Sequence, residues 1–308
     1  MDGGPAFALS DLTKSFGSVT ALDGLTVTVP RGSVGLVGAN GAGKTTMFRL
    51  LLGLITPTKG RVEVRGQDVQ ADPIAARSRL GFMPEHDCLP PDQTAADLVA
   101  TLGEMSGLPA RAARQRASDV LDLVGLDEAR FRAIEGFSTG MRQRTKLAQA
   151  LVADPELVLL DEPTAGLDPI GRQEMLDLVK RLGEFGISVV LATHLLDDVQ
   201  SVCDHVVMID AGKLVLSGPT TQLLERAGTV RVDVGGLNDA LVGALAGRGL
   251  TASVLEDATL EVAGGDRSTD ELLDIVRDAV AELALPLHAL STRHASLDEV
   301  FLRTAGER

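Results

Sequence analysis

The chain has 308 residues, and 44% of them are hydrophobic, so it is long enough for two domains and can bury a large core. Its formal net charge of −14 argues against a general nucleic-acid-binding protein, because such proteins neutralise phosphates with a basic surface. The sequence has no apolar run of the about 18 residues that suggest a membrane span, and it lacks the basic and then apolar start of a secretion signal, so we expect a cytoplasmic protein.

The first part of the chain predicts strands, interrupted by one glycine loop and one helix. The runs with the alternation or the β-branched content of strands are AFALSDL, LTVTVPRG, SVGLVG, RVEVRG and RLGFMPE. The glycine loop lies between SVGLVG and TTMFRLLLGLI, which has helical spacing. From Pro91 the sequence is alanine-rich, and we expect a helical insert at about 91–152.

The next part alternates strands and helices up to a boundary near Gly218–Pro219. The predicted elements are the strand ELVLL, the helix GRQEMLDLVKRLGEF, the strand ISVVLAT, the helix LLDDVQSVC, and the strands HVVMID and KLVLSG. This alternation predicts an α/β sheet whose ligands bind at the carboxyl ends of its strands. We expect one domain at 1–220 and a second at 221–308, which carries half of the net charge in under a third of the chain.

The second domain predicts a small α+β fold. Its segments TVRVDV, LNDALVGALAGRGL, TASVLE, ATLEVAG, STDELLDIVRDAVAEL and PLHALST predict the order β-α-β-β-α-β, which is ferredoxin-like. SLDEVFLRTAG predicts a further helix, with Ser296 as N-cap and Glu299 as its capping-box partner. Two interpretations stay open for this domain: a regulatory module that dimerises or senses a ligand, and a solvated appendage.

The glycine loop GANGAGKT matches the phosphate-binding pattern G-x-x-x-x-G-K-[ST] in full. Its backbone N–H groups and the start of the following helix can bind phosphate oxygens, Lys44 can neutralise the β- and γ-phosphates, and Thr45 can offer its hydroxyl to magnesium. A dinucleotide-binding turn is a weaker fit, because Lys44 and Thr45 have no role in it. The expected nucleotide-binding residues of this loop are Gly38, Asn40, Gly41, Ala42, Gly43, Lys44, Thr45 and Thr46.

Two further segments carry groups that suit phosphate chemistry. LVLLDEP predicts a buried strand that ends in two carboxylates, of which Asp161 suits magnesium and Glu162 can deprotonate a water that attacks the γ-phosphate. By themselves, two acids after a strand are often only a solvated edge. FSTGMRQRTKLA predicts a helix whose first turn, at Ser138 and Gly140, suits an anion. One chain therefore carries two candidate phosphate sites.

These motifs together resemble those of a known family. GANGAGKTT, FSTGMRQR, LVLLDEP, AGLDP and LATH follow one another as in the ATP-binding-cassette (ABC) ATPases, and the resemblance covers about residues 6–218. It implies a P-loop ATPase core with an antiparallel β subdomain and a helical subdomain, and it implies ATP and Mg²⁺ as cofactors. It also implies that two cassettes pair head to tail, so that Ser138 and Gly140 serve the nucleotide of the partner.

The resemblance assigns roles to further residues. His194 resembles the histidine that contacts the γ-phosphate and holds the geometry around Glu162, and a structural histidine is the alternative. Asp168 resembles the acid that reaches across the dimer. Phe16 stands where the family stacks a tyrosine on adenine, and a core phenylalanine is the alternative. We expect Glu162, His194 and Lys44 to be the catalytic residues.

Three parts of the motif set depart from the family pattern. Asn40 stands in the phosphate loop where proline is common, and asparagine tolerates the turn geometry. Thr139 replaces a glycine and Met141 replaces a glutamine in the segment FSTGMRQR, the family's signature. Glu85 stands where the family has a glutamine that contacts magnesium and senses the membrane partner. Because a carboxylate also binds magnesium, the expected metal ligands are Thr45, Glu85 and Asp161.

FMPE, FSTGMRQR and the ending ASLDEVFLRTAG resemble in particular the single-cassette ATPases of bacterial exporters of the daunorubicin-resistance type. This resemblance implies the ATP-hydrolysing subunit of an exporter, paired with a second copy or a paralogue. It also implies a separately encoded permease, which would hold the subunit at the inner face of the cell membrane through residues around 85–97. The alternative is a soluble ABC ATPase that acts as a mechanochemical clamp on ribosomes or DNA; such chains generally carry two cassettes or long coiled coils.

Overall fold

The computed structural model describes residues 4–226, 228–255, 257, 259–265, 267–293 and 296–300. The chain divides into two compact units, Met1–Ser217 and Gly218–Arg308. The division lies beside the predicted boundary at Gly218–Pro219, where the charge of the sequence changes. Each unit encloses a hydrophobic core of its own.

Most elements up to Pro219 follow the predicted order. The strands are β1 (Phe7–Phe16), β2 (Val19–Val29), β3 (Ser33–Val37), β4 (Lys59–Val64), β5 (Gln67–Asp68), β6 (Leu80–Met83), β7 (Leu157–Asp161), β8 (Ser188–Thr193), β9 (His205–Asp210) and β10 (Lys213–Pro219). The helices are α1 (Lys44–Leu51), α2 (Pro73–Arg77), α3 (Ala95–Met105), α4 (Ala110–Leu123), α5 (Thr139–Leu151), α6 (Pro169–Glu184) and α7 (Leu196–Val202). The two that the sequence did not predict, β5 and α2, are too short to show a period.

An antiparallel sheet forms from the strand order β2-β1-β4-β5. In β2 the buried side chains Leu25, Val27 and Val29 alternate with exposed ones, as expected for a sheet with one face in the core. That face packs in one cluster with Phe48 and Leu51 of α1. The antiparallel subdomain that the resemblance implies is therefore confirmed.

A six-stranded sheet with the order β10-β9-β3-β8-β7-β6 forms the centre of the first unit. Its neighbours from β9 to β6 pair in parallel. All residues of β3, β7 and β8 are buried, which explains why these strands read as continuous apolar runs. The register pairs Val37 with Thr193 and Asp161 with Ala192, so the segments that follow the three strands begin at one edge of the sheet.

The helical insert contains α3, α4 and α5, with 3-10 turns at Asp127–Phe131 and Ile134–Gly136. Thr94 caps α3 by accepting a hydrogen bond from the N–H of Asp97, and the residues of α4 that face inward are mostly alanine and valine. This confirms the helical subdomain that the resemblance implies. Within the ranges described above, the structure contains no helix that is long and apolar enough to cross a membrane.

The second unit begins with α8 (Thr220–Arg226), which the sequence did not predict, and continues with β11 (Thr229–Asp233), α9 (Asp239–Ala246), β12 (Thr251–Val254), β13 (Leu260–Ala263), α10 (Thr269–Glu282) and β14 (Ala289–Arg293). The antiparallel strand order β12-β13-β11-β14 confirms the β-α-β-β-α-β prediction. Ser296 and Glu299 exchange the two hydrogen bonds of a capping box, whereas residues 301–306 of the predicted last helix lie outside the described residues.

Candidate active site

The glycine loop joins the end of β3 to the start of α1. Gly43 has φ +111°, and a Cβ atom there would lie 2.5 Å from Cδ2 of Leu22, so only glycine fits. The unpaired N–H groups in the first turn of α1 open onto a cavity of about 300 Å³. This phosphate cavity is lined by Ala21, Ala39, Asn40, Gly41, Gly43, Lys44, Thr45, Thr46, Glu85, Asp161 and Glu162.

The Lys44 ammonium lies inside the phosphate cavity and is held by the loop itself. Nζ donates to the carbonyl oxygens of Gly38, at 2.6 Å, and Ala39, at 3.4 Å. It also lies 3.9 Å from Oε1 of Glu162, and both side chains are almost fully buried. The positive charge is thus fixed between the loop and a carboxylate, where an incoming phosphate would meet it.

Asp161 and Thr45 form a pair of oxygen donors in the same cavity. The Thr45 hydroxyl donates to Oδ2 of Asp161 at 3.2 Å. Burial raises the pKa of Asp161 above its ordinary range, and the neighbouring carboxylates of Glu85 and Glu162 act in the same direction, whereas the Thr45 hydrogen bond and the Lys44 charge oppose them. The Thr45 hydrogen bond and the Lys44 charge therefore compensate the buried Asp161 carboxylate only in part.

Glu162 is held in an uncommon backbone conformation, with φ +49°. Its N–H donates to the carbonyl of Ala192 at 2.9 Å, which fixes the turn after β7 against β8. The Thr193 hydroxyl donates to Oε2 at 3.1 Å, and Nδ1 of His194 lies 3.0 Å from Oε1. Both carboxylate oxygens are therefore oriented, and the half-exposed His194 ring stands beside the oxygen nearest Lys44.

A second cavity, of about 490 Å³, lies at the start of α5. Ser138 caps α5 by accepting from the N–H of Met141 at 3.3 Å, and Asp168 caps α6 by accepting from the N–H of Gly171 at 3.0 Å. This signature cavity is lined by Ser138, Thr139, Gly140, Met141, Arg144, Gly166, Leu167, Asp168, Ile170, Gly171 and Glu174. It shares no residue with the phosphate cavity, so within one chain the two predicted phosphate sites are not brought together.

Glu85 and Phe16 differ in how they relate to the phosphate cavity. Glu85 follows β6 and lines the cavity together with Thr45 and Asp161, the other two residues that the sequence predicts as metal ligands. Phe16 ends β1 with 47% of its surface exposed, so the alternative of a core phenylalanine is wrong. Nζ of Lys14 lies over its ring, 4.9 Å from the ring centre. Phe16 does not line the phosphate cavity, whereas Ala21 of β2 does.

Several buried polar contacts around the site were not predicted. The Thr193 bond to Glu162 is one of them. Another is the fully buried Asp198 of α7, which accepts from the Thr164 hydroxyl at 2.7 Å and from Nε of Arg172 at 2.5 Å. These bonds tie the segment after Glu162 to the helix after His194. The partners are distant in sequence, and no motif signals them.

Comparison with known proteins gives consistent matches. Residues 22–165 match the ABC transporter family. The daunorubicin resistance ATP-binding protein DrrA3 of Streptomyces coeruleorubidus is 36% identical over 98% of this chain and 96% of its own length. The Nod factor export ATP-binding protein I of Ralstonia nicotianae is 33% identical over 98% of this chain and 94% of its own. Among solved structures, cbiO1 of Clostridium perfringens, part of the ABC transporter complex cbiONQ, has a TM-score of 0.65 at 26% identity and covers 71% of this chain and 90% of its own.

Proposed function

The chain belongs to the ATP-binding proteins of ABC transporters, and we propose that Lys44, Glu162 and His194 carry out its ATP hydrolysis. It binds and hydrolyses ATP as the subunit of an ABC exporter, and the full-length match to a Nod factor export protein agrees with export. The observation that supports the residue assignment is the arrangement of Glu162, oriented by Thr193 and His194 beside Lys44 in the phosphate cavity.

Glu162 has the geometry of a general base. With Oε2 bound to Thr193 and Oε1 beside His194, the carboxylate cannot turn away from the cavity. It takes a proton from the attacking water as the water oxygen bonds to the γ-phosphorus and the bond to the β–γ bridging oxygen breaks, which releases ADP and phosphate. Such assistance typically contributes about 10²–10⁴ in rate. Lys44 and the N–H groups of the loop neutralise the phosphates, and His194 holds the Glu162 oxygen that faces them.

Magnesium fits the oxygen donors of the cavity. The described residues contain no group of three or more His, Cys, Asp or Glu side chains able to hold a metal ion. The donors that line the cavity are the Asp161 and Glu85 carboxylates and the Thr45 hydroxyl. Two carboxylates suit Mg²⁺, which is usually bound by one or two carboxylates together with substrate phosphates. When bound, Mg²⁺ neutralises charge that develops on the phosphates. Thr45, Asp161 and Glu85 would hold it. The buried Asp161 carboxylate, which Thr45 and Lys44 compensate only in part, supports this assignment.

The signature cavity supports pairing with a second cassette. Ser138, Gly140 and Asp168 lie outside their own chain's phosphate cavity, so they can serve a nucleotide only if another chain supplies it. In the paired state, the first turn of α5 would add N–H groups and a hydroxyl to the partner's ATP. We propose a homodimer or a heterodimer with a paralogue, bound at the inner face of the membrane to a separate permease through residues around 85–97.

The test of the catalytic assignment is Glu162→Gln in the full chain. The amide keeps the size of the side chain but cannot accept a proton, so ATP affinity should stay within about twofold while turnover falls by about 10²–10⁴. Glu184→Gln, at the exposed end of α6, is the matched control and should leave both quantities unchanged. Wild-type turnover in Glu162→Gln would remove Glu162 as the base.

The same variant tests whether the chain binds a membrane permease. Tagged Glu162→Gln is recovered from its native cells with solubilised membranes, magnesium and ATP, and the bound proteins are identified by mass spectrometry. A polytopic membrane protein in comparable amount is the expected result. Ribosomal or DNA-repair proteins without a permease would favour the soluble clamp and would contradict the permease proposal, while the hydrolysis assignments would stand.

A further inference from the structure

Lys146 is a buried ammonium group that the proposed ATP chemistry does not use. It lies on α5, and only 4% of its surface is exposed. Nζ donates to the backbone carbonyls of Pro84 and Glu85, each at 2.9 Å. Within the described ranges, no carboxylate oxygen lies within 4.0 Å of Nζ, the distance limit for an ion pair. The charge is therefore balanced mainly by two peptide oxygens.

A buried lysine at this position is costly. Burial lowers the pKa of Lys146, and the nearby groups Cys88, Asp87, Glu85 and Asp161 oppose that shift without pairing with it. Of the adjacent buried positions of α5, Leu147 and Ala148 are apolar. The buried Thr145 hydroxyl is neutral and bonds to the Met141 carbonyl of its own helix, so neither it nor the apolar pair buries a charge. A costly polar group that packing does not require points to a role in holding something else.

The segment that Lys146 holds is the one that carries Glu85 into the phosphate cavity. Pro84 and Glu85 are the first two residues after β6, and Glu85 lines the cavity together with Thr45 and Asp161. Among the described residues, none donates a hydrogen bond to the Glu85 carboxylate or pairs with it. Glu85 is exposed, so its side chain can turn, and the backbone sets only the region that the carboxylate can reach. The Lys146 hydrogen bonds fix this backbone.

We propose that Lys146 is a positioning residue that holds the Glu85 carboxylate on the side of the phosphate cavity where Thr45 and Asp161 lie, and thereby sets the affinity for MgATP. The proposal rests on the assignment of Glu85 as a magnesium ligand under the proposed function. Because Lys146 belongs to α5, it also joins the Glu85 segment to the helix that Ser138 caps. Lys146 therefore connects the helix that begins at the signature cavity with the Glu85 segment of the phosphate cavity.

The test measures ATP affinity of the full chain by calorimetry, once with Mg²⁺ and once with EDTA, and compares Lys146→Met with wild type. We expect the gain in affinity that Mg²⁺ provides to fall about tenfold, which is typical of lost outer-shell support, while the affinity in EDTA stays within about twofold. Lys146→Arg, which keeps the charged donors, should recover most of the gain. If Lys146→Met does not fold, Lys146→Gln, which keeps an amide donor but no charge, replaces it.

A double variant distinguishes positioning from general packing. In a Glu85→Ala background the carboxylate is gone, so Lys146→Met should cause no further loss of the Mg²⁺ gain. Lys180→Met on α6, an exposed lysine, is the control and should change nothing. An unchanged Mg²⁺ gain in Lys146→Met, an equal loss in Mg²⁺ and in EDTA, or the same loss without Glu85 would overturn the proposal.

Glu85→Ala distinguishes a wrong metal assignment from a wrong role of Lys146. If Glu85→Ala alone leaves the Mg²⁺ gain intact, Glu85 is not a ligand, and both the metal assignment and the Lys146 proposal are wrong. If Glu85→Ala removes the gain and Lys146→Met does not, the metal assignment stands and only the role of Lys146 is wrong.

Discussion

The phosphate cavity and the signature cavity differ in what holds their side chains. In the phosphate cavity, Lys44, Asp161 and Glu162 are 7%, 3% and 6% exposed. Each is bonded to the loop or to a neighbouring strand end. In the signature cavity, Ser138 and Asp168 are exposed, and their capping bonds reach only the next turn of their own helix.

This difference indicates that the two cavities have different roles. Buried, mutually bonded charges form a site whose geometry is set before the substrate arrives, and such preorganisation is what charge stabilisation in catalysis requires. Exposed caps on helix starts offer donors but no enclosure. Changes in the phosphate cavity should therefore act on a single chain, whereas changes in the signature cavity should act only where chains pair.

After Glu162→Gln, Lys44→Ala is expected to have the largest effect. It removes the cation of the phosphate cavity, and with it charge-assisted hydrogen bonds to two phosphate groups, so ATP affinity should fall by about 100-fold at every protein concentration. Calorimetric titration with ATP measures this. Lys59→Ala, at an exposed position of β4, is the matched control. An affinity within about twofold of wild type would show that the loop binds phosphate without its lysine.

Thr193→Val tests whether the orientation of Glu162 matters. Valine keeps the shape and the strand preference of threonine but loses the hydrogen bond to Oε2, so turnover should fall by about tenfold, the lower end of what misplaced catalytic groups cost, with ATP affinity unchanged. The measurement is steady-state phosphate release at saturating ATP.

Thr193→Ser is the matched control for that substitution, because it keeps the hydroxyl. It should retain most of the turnover. Since the N–H of Leu195 also donates to the Thr193 hydroxyl, Thr193→Val leaves a donor unpaired and should cost about 1–3 kcal/mol of stability. If serine and valine reduce turnover equally, the hydroxyl is not what orients Glu162.

The main parts of the phosphate cavity could be predicted because they follow from one rule. Parallel strands that alternate with helices bring the segments after their carboxyl ends to one edge, and Lys44, Glu162 and His194 each lie in the segment after such a strand. The second unit could be predicted for a similar reason, since its strands and helices are regular enough to show their periods.

The contacts that orient those groups could not be predicted. The Thr193 bond to Glu162 and the Asp198 bond to Thr164 join residues more than thirty positions apart, as does the Lys146 bond to Glu85. Periodicity reports which face a residue occupies, not which partner it meets there. Short elements such as α2 and β5 were missed because a few residues do not define a period.

Ser138→Ala changes the signature cavity, and we expect a smaller effect on turnover. The loss of an N-cap costs about 1 kcal/mol, and if the hydroxyl also serves the partner's phosphate, turnover should fall by about fivefold at protein concentrations where chains pair. In dilute protein, ATP affinity should equal that of wild type. Turnover measured over a range of protein concentrations separates these two regimes.

Ser268→Ala is the matched control for that variant. Ser268 caps α10 in the second unit with the same kind of hydrogen bond, so its loss has a similar cost in stability without touching either cavity. It should leave turnover unchanged at all concentrations. A Ser138→Ala variant whose ATP affinity already falls in dilute protein would contradict the division between the two cavities.

Asp161→Asn should have the smallest effect on stability, and the effect should be in the direction of stabilisation. Because burial raises the pKa of Asp161, the folded chain binds a proton there more tightly than the unfolded chain does, and stability is lost as the pH rises through the folded pKa. Asparagine removes that cost, so without nucleotide and magnesium the melting temperature should rise by roughly 2 °C at neutral pH, as for a change below about 1 kcal/mol.

The pH dependence makes this last prediction specific. As the pH falls and Asp161 takes up its proton, the melting temperatures of wild type and Asp161→Asn should converge, whereas a packing effect would persist at every pH. Adding MgATP should reverse the order, because the wild-type carboxylate then gains the cation that its burial lacks. A variant less stable than wild type without ligand would mean that Lys44 and Thr45 already compensate the buried charge, so that the phosphate cavity needs no ligand to balance it.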